Sequence, residues 1–160
     1  KSPEPVAALF QRAVRALGSL PAEKNITVKI EIPEDVPPAP VDPDQMHQVL
    51  INLVKNAVEA TPEGGTVRAS AYAVVSGPRP VVVLEVSDTG TGIDSDSLPN
   101  IFEPFFTHGK PNGTGLGLYV SHGIVERHGG ELLAANRARK GAVFTLKLPL
   151  TSYHTTEISG

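Results

Sequence analysis

Residues 42–65 impose the strongest fold constraint in this chain, because both ends of one long helix are written there. Asp42-Pro43-Asp44 is a start signal. Asp42 can cap the helix, Pro43 suits its first position, and Asp44 favours the positive end of its dipole. Thr61-Pro62-Glu63-Gly64-Gly65 stops it at about Ala60. Between them, Met46, Val49, Leu50, Leu53, Ala57 and Val58 make one apolar face. That face needs a partner layer, and most of the remaining chain reads as strand.

Ile26, Val28, Ile30 and Ile32 alternate with polar residues, the pattern of a half-buried strand. Thr66 to Val75 and Val81 to Val86 read as two strands joined by the Ser76 to Pro80 turn. Leu132 to Asn136 and Ala142 to Leu148 form another pair around Lys140-Gly141. Two more helices are predicted. Val6 to Leu20 carries Val6, Leu9, Phe10, Ala13, Val14 and Leu17 at helical spacing. Leu116 to His128 is closed by Gly129-Gly130. Pro33 to Pro40 reads as extended loop, and 93–114 as irregular with one short helix near Leu98 to Phe102. The order α, β, α, β, β, α, β, β predicts an α+β sandwich, with helices on one face of a largely antiparallel sheet.

Composition narrows the chemistry. The 160 residues contain no Cys, which excludes disulfides, thiolate metal sites and cysteine nucleophiles. A formal net charge of -3 argues against a nucleic-acid domain. No apolar run approaches the roughly 18 residues of a membrane helix. The start at Lys1-Ser2-Pro3 is unlike a signal peptide and is expected of a piece of a larger protein.

Three segments draw attention. On the central helix, Gln48, Asn52, Lys55, Asn56 and Glu59 share a second stripe. It reads either as an ordinary polar face or as amide oxygens aimed at a hard cation or phosphate. Asp88-Thr89-Gly90-Thr91-Gly92-Ile93 follows an apolar strand. It reads either as a capped turn or as a carboxylate for an exocyclic amine, with glycines permitting close approach. Gly113-Thr114-Gly115-Leu116-Gly117-Leu118 runs into a helix, where free N–H groups favour phosphate. Neither a dinucleotide fingerprint nor a Walker A loop fits its spacing. Between the last two, Phe102, Phe105 and Phe106 are either a satellite core or the anchors of a mobile lid, in which Lys110 could reach a terminal phosphate.

These segments, in this order, resemble the catalytic ATP-binding domain of sensor histidine kinases, in the GHKL superfamily. Gln48 to Ala60 resembles the N box, Asp88 to Ile93 the first glycine box, Phe102 to Phe106 the F box, and Gly113 to Leu118 the second glycine box. The resemblance runs from about Val6 to Pro149 and implies the Bergerat fold. That is a mixed, mostly antiparallel sheet of about five strands backed by three main helices. The implied domain is 1–149, with a flexible lid at about 94–115 and a disordered tail at 150–160. Asp88 should bind the adenine amino group, with Gly90, Gly92 and Ile93 against the base. Thr145 should join Asp88 through water. Asn56 should hold magnesium, with Asn52 on the phosphate side. Gly113, Thr114, Gly115, Leu116, Gly117 and Leu118 should cover the phosphates, with Thr107 and Lys110 of the lid in contact. Asn52, Asn56 and Lys110 are the implied catalytic residues.

Two departures stand out. Glu59 occupies a position where many members carry Lys or Arg; Lys55 substitutes, as in the nitrogen-regulation-like subclass. The lid Thr107-His108-Gly109-Lys110 is one residue longer than the common form. GHKL hydrolases and serine kinases resemble one another in placing a general-base Glu four residues before the magnesium Asn. Here Asn52 stands there, and an amide cannot take that proton. The resemblance therefore implies ATP-dependent phosphorylation of a histidine, with a GHKL hydrolase or a non-catalytic pseudokinase as the alternatives. His47, His108, His122, His128 and His154 are not in an acceptor setting, and structural roles are expected for His47, His122 and His128. The implied partners are an upstream dimerisation and phosphoacceptor domain and, through it, a response regulator. The domain alone is expected to be monomeric and cytoplasmic, in a parent that is membrane-bound or soluble.

Overall fold

The computed structural model describes residues 1–104 and 116–150. Five strands form one sheet: β2 (Thr27–Glu31), β4 (Thr66–Val74), β5 (Val81–Asp88), β6 (Glu131–Asn136) and β7 (Ala142–Pro149). Their spatial order is β2-β4-β5-β7-β6. β2 pairs parallel to β4, and the other neighbours are antiparallel, so the sheet is mixed as the resemblance implies. Three helices cover one face: α1 (Val6–Ala16), α3 (Pro43–Ala60) and α4 (Gly117–Arg127). α3 lies over β4 and β5, between α1 and α4.

The layers meet through alternation. β7 buries Ala142, Phe144, Leu146 and Leu148 and leaves the residues between them half-buried. α3 buries the six expected apolar residues and Val54 as well. Phe10, Met46, Leu50, Leu53, Leu84, Leu146 and Leu148 are among the largest side chains fully enclosed. Burying one such side chain contributes about 1.5–3 kcal/mol.

Both ends of α3 are secured. Asp42 Oδ1 accepts from the Asp44 and Gln45 N–H groups, each at 3.0 Å, as its sequence position predicts. The Gln45 bond chiefly holds the Asp42 carboxyl below its ordinary value. At the other end, Lys24 Nζ donates to the carbonyls of Val58, Glu59 and Thr61 at 3.0–3.1 Å. A cation at that end also complements the helix dipole.

Several boundaries differ from expectation. The first helix ends at Ala16, because Gly18 turns the chain at φ +59; a short helix α2 (Leu20–Glu23) follows. The proline-rich stretch ends in a short strand β3 (Ala39–Val41), which pairs with β1 (Ser2–Glu4). Pro3 faces Pro40, so the two missing N–H groups fall at one place in the ladder. The short helix expected near Leu98 is a single 3₁₀ turn, Leu98–Asn100. β5 runs two residues further than expected, so Asp88 ends the strand rather than opening the bend.

Candidate functional site

Asp88 is the end of a central strand and points to the helix side, where it is 2% exposed. A carboxylate there needs hydrogen bonds, and it has them. Oδ1 accepts from the Gly90 N–H at 2.8 Å and the Ala142 N–H at 3.2 Å. Neither bond uses Oδ2. The Asp88 main-chain oxygen accepts from Arg137 Nη1 at 2.8 Å.

Glycines let three segments crowd this carboxylate. A Cβ on Gly90 would stand 2.3 Å from the Ala60 carbonyl oxygen, so the bend lies directly on the end of α3. Asn56 is about one turn back from that contact. A Cβ on Gly141 would meet the Asp88 main-chain oxygen at 1.9 Å. Gly92 takes φ +85, in the left-handed region that favours glycine. Beyond it, Ile93 is held at both backbone groups: its N–H donates to Asn136 Oδ1 at 2.6 Å, and its carbonyl accepts from Asn136 Nδ2 at 2.7 Å.

On the helix side, the polar stripe divides. Asn52 and Asn56 are half-buried, while Gln48, Lys55 and Glu59 are exposed. Asn52 Nδ2 donates to Ser121 Oγ at 3.1 Å and to the Gly117 carbonyl at 3.3 Å. The start of α4, with Gly117 and Leu118, is thereby tied to the asparagine face of α3. The N-cap of α4 is Leu116, whose side chain offers no acceptor to the first N–H groups.

The structure thus brings Asn52 and Gly117 together, with Leu118 next in α4 and Asn56 one turn further along α3, and gathers Asp88, Gly90, Gly92 and Ile93 at the strand end that rests on the end of α3. Thr145 does not join them, and its expected link to Asp88 is corrected. It pairs with Glu85, and the alternation of β7 turns it away from the helix side that receives Asp88. Ala142 occupies the place beside the carboxylate, through its backbone N–H. Thr107, His108, Lys110, Gly113, Thr114 and Gly115 lie outside the described residues, as do Phe105, Phe106 and 151–160.

Phe102 settles on the core side of its two readings. It stacks on His122 with centroids 5.1 Å apart and meets Phe144 edge-on at 6.3 Å. Among the described histidines, His122 and His128 have polar partners. His122 Nδ1 lies 3.1 Å from Glu126 Oε1. His128 is buried; Nδ1 bonds the Ile124 carbonyl at 2.9 Å, and Nε2 accepts from the Asp42 N–H at 3.2 Å. That pattern ties the end of α4 to the start of α3. His47 is held below its ordinary value, first by burial and then by the charge of Arg12, with Asp44 opposing.

Asn136, Arg137, Ser121 and Lys24 were not singled out by sequence. Each is an ordinary polar residue whose partner lies more than 30 residues away, so no local spacing marks it. Among the described residues, no cluster of three His, Cys, Asp or Glu side chains could hold a metal. A hard cation at the Asn face would need most of its oxygen ligands from a bound phosphate and water, the habit of magnesium. The donor set fits a magnesium nucleotide in that sense: asparagine amides beside the start of a helix, and a buried carboxylate on the strand end that meets α3. Among the described residues, no helix is long and apolar enough to cross a membrane.

Comparison with known proteins agrees with this geometry. Residues 41–152 match the family model described as histidine kinase-, DNA gyrase B-, and HSP90-like ATPase. Sporulation kinase E of Bacillus subtilis is 38% identical over 126 residues, which cover 79% of this chain and 16% of that protein. This chain therefore spans about a sixth of that relative's length. The nucleotide-free catalytic domain of the histidine kinase ThkA superposes with a TM-score of 0.79 at 34% identity, covering 91% of this chain and 93% of that one. ThkA in complex with the response regulator TrrA gives 0.73 at 31% identity, covering 91% and 40%. Full-length ShkA in complex with AMPPNP gives 0.80 at 27% identity, covering 96% and 32%. The chain belongs to the histidine kinase-, DNA gyrase B- and HSP90-like ATPase family, within which it is a histidine kinase catalytic ATP-binding domain.

Proposed function

We propose that this domain binds magnesium ATP and donates the γ-phosphoryl group to a histidine on a separate dimerisation and phosphoacceptor domain of the same kinase. The observation that carries this reading is Asp88: a carboxylate 2% exposed, bonded through Oδ1 to the N–H of Gly90, in a bend that lies against the end of the helix carrying Asn52 and Asn56. Asp88 accepts the exocyclic amine of adenine, a group that hypoxanthine lacks. Gly90 and Gly92 bring backbone without side chains against the base, and Ile93 lies beside them. Asn56 contributes an oxygen to magnesium, and Asn52 and Lys55 lie on the phosphate side. The ion, when bound, neutralises charge developing on the transferred group. Thr107 and Lys110, from a lid at about 94–115 of a 1–149 domain, contact the phosphates, and the backbone from Gly113 to Leu118 covers them.

The residue four before Asn56 is an amide already donating to α4, so it supplies no base to activate water. A histidine acceptor brings its own lone pair, and the domain contributes positioning. In this reading the phosphoryl group passes on to a response regulator, and the domain itself is monomeric and cytoplasmic.

The test is a calorimetric titration of ADP and a non-hydrolysable ATP analogue, with and without magnesium. Binding that tightens with magnesium is expected. Binding of neither nucleotide would reject the reading and favour a pseudokinase; steady hydrolysis of ATP by the domain alone would favour a GHKL hydrolase.

A further inference from the structure

We propose that Asn136 is a positioning residue for the nucleotide base, setting both affinity and base discrimination by locking the backbone of Gly92 and Ile93. The proposal rests on the reading of Asp88 to Ile93 as the base site.

The geometry is unusual for a surface residue. Asn136 is exposed, yet its amide oxygen and its amide nitrogen both bond one residue, 43 positions away. Both bonds are short, at 2.6 and 2.7 Å. Asn136 ends β6 and pairs with Ala142, whose own N–H bonds Asp88 Oδ1. The β6–β7 turn therefore reaches over the end of β5 and grips the bend on both sides of the glycines. Arg137 holds the Asp88 carbonyl, and Asn136 holds Ile93. Between these anchors Gly92 keeps φ +85, and a Cβ there would stand 2.8 Å from Asn136 Oδ1. Glycine-rich backbone is otherwise free to sample many conformations, and only a fixed one holds a base in register with Asp88. Truncating an exposed side chain leaves no cavity in the core, so its loss falls on the bend rather than on the fold.

The test compares the chain with its Asn136→Ala variant. ADP and inosine diphosphate, which lacks the exocyclic amine, are titrated in magnesium buffer. Hydrogen exchange at the Ile93 amide is followed without nucleotide. The variant should bind ADP about tenfold more weakly, the loss of two hydrogen bonds of ordinary net worth. Its preference for ADP over inosine diphosphate should shrink, its Ile93 amide should exchange faster, and its melting should be nearly unchanged. An unaltered ADP preference, or equal losses for both nucleotides, would overturn the proposal and leave Asn136 as a loop staple at most. Unchanged exchange at Ile93 would overturn it independently. If the parent chain binds no ADP, it is the nucleotide reading that fails.

Discussion

Gly141 lies so close to Asp88 that a Cβ on it would stand 1.9 Å from the Asp88 main-chain oxygen and 3.0 Å from its carboxylate Oδ1. Gly141 also takes φ +100, which other residues rarely adopt. Gly141→Ala should therefore displace the end of β5 as well as strain the turn. The expected cost is about 1–3 kcal/mol, seen as a lower melting temperature. ADP affinity should fall with it. A variant melting with the parent would show that the turn relaxes without moving Asp88.

Asp88→Asn separates recognition from folding. The asparagine Oδ1 can still accept from Gly90 and Ala142, so melting should shift little. The amide carries less acceptor charge toward an exocyclic amine, and ADP affinity should drop by roughly 30-fold or more. Calorimetry reads both. Unchanged affinity would remove Asp88 from the site.

For Asn56→Ala, the expected loss is the magnesium dependence of ATP-analogue binding, with ADP alone affected less. Paired titrations with magnesium and with chelator check this. If the dependence persists, the cation is held elsewhere.

Lys24 is far from the base site but caps the helix that carries the asparagines. Lys24→Met keeps the aliphatic stem and removes three donors. A loss of about 1 kcal/mol is expected, measured by urea unfolding. An identical midpoint would mean that water replaces the ammonium group without cost.

His47 gives stability a pH dependence. Its folded value lies below the ordinary 6.5, because burial and Arg12 disfavour the charged ring. The unfolded chain then binds more protons in the interval between the two values. Stability is complete above 6.5 and declines as pH falls toward the lower folded value. His47→Leu should flatten that decline in melting curves collected across mildly acidic pH. A slope preserved in the variant would assign it to another group. Asp42 acts further down: its lowered carboxyl contributes stability above its ordinary 3.8, lost as pH falls through its folded value.

Much of the fold was legible locally. The Asp42 cap, the six apolar residues of α3 and the alternation of β7 each follow from spacing within one element. Boundaries were less legible where a remote partner sets them. β3 exists because Ser2–Glu4 lies beside it, and β5 reaches Asp88 because Ala142 and Arg137 hold that end. Thr145 shows the hazard of carrying a role onto a residue type. One position along a strand reverses the face, and its partner Glu85 lies on the side away from the helices.

The sequence by itself determined which residues could do chemistry: a carboxylate among glycines, two asparagines one turn apart, and a glycine run opening a helix. Those are patterns of a few residues, and short-range backbone geometry fixes what they can present. The tertiary structure decided which of them meet, and what holds them. Gly90 rests on the Ala60 carbonyl, Asn52 ties α4 to α3, and Asn136 and Arg137 grip the bend after β5. Those contacts join residues from 30 to 65 positions apart, so their specificity arises only once the sheet register has closed.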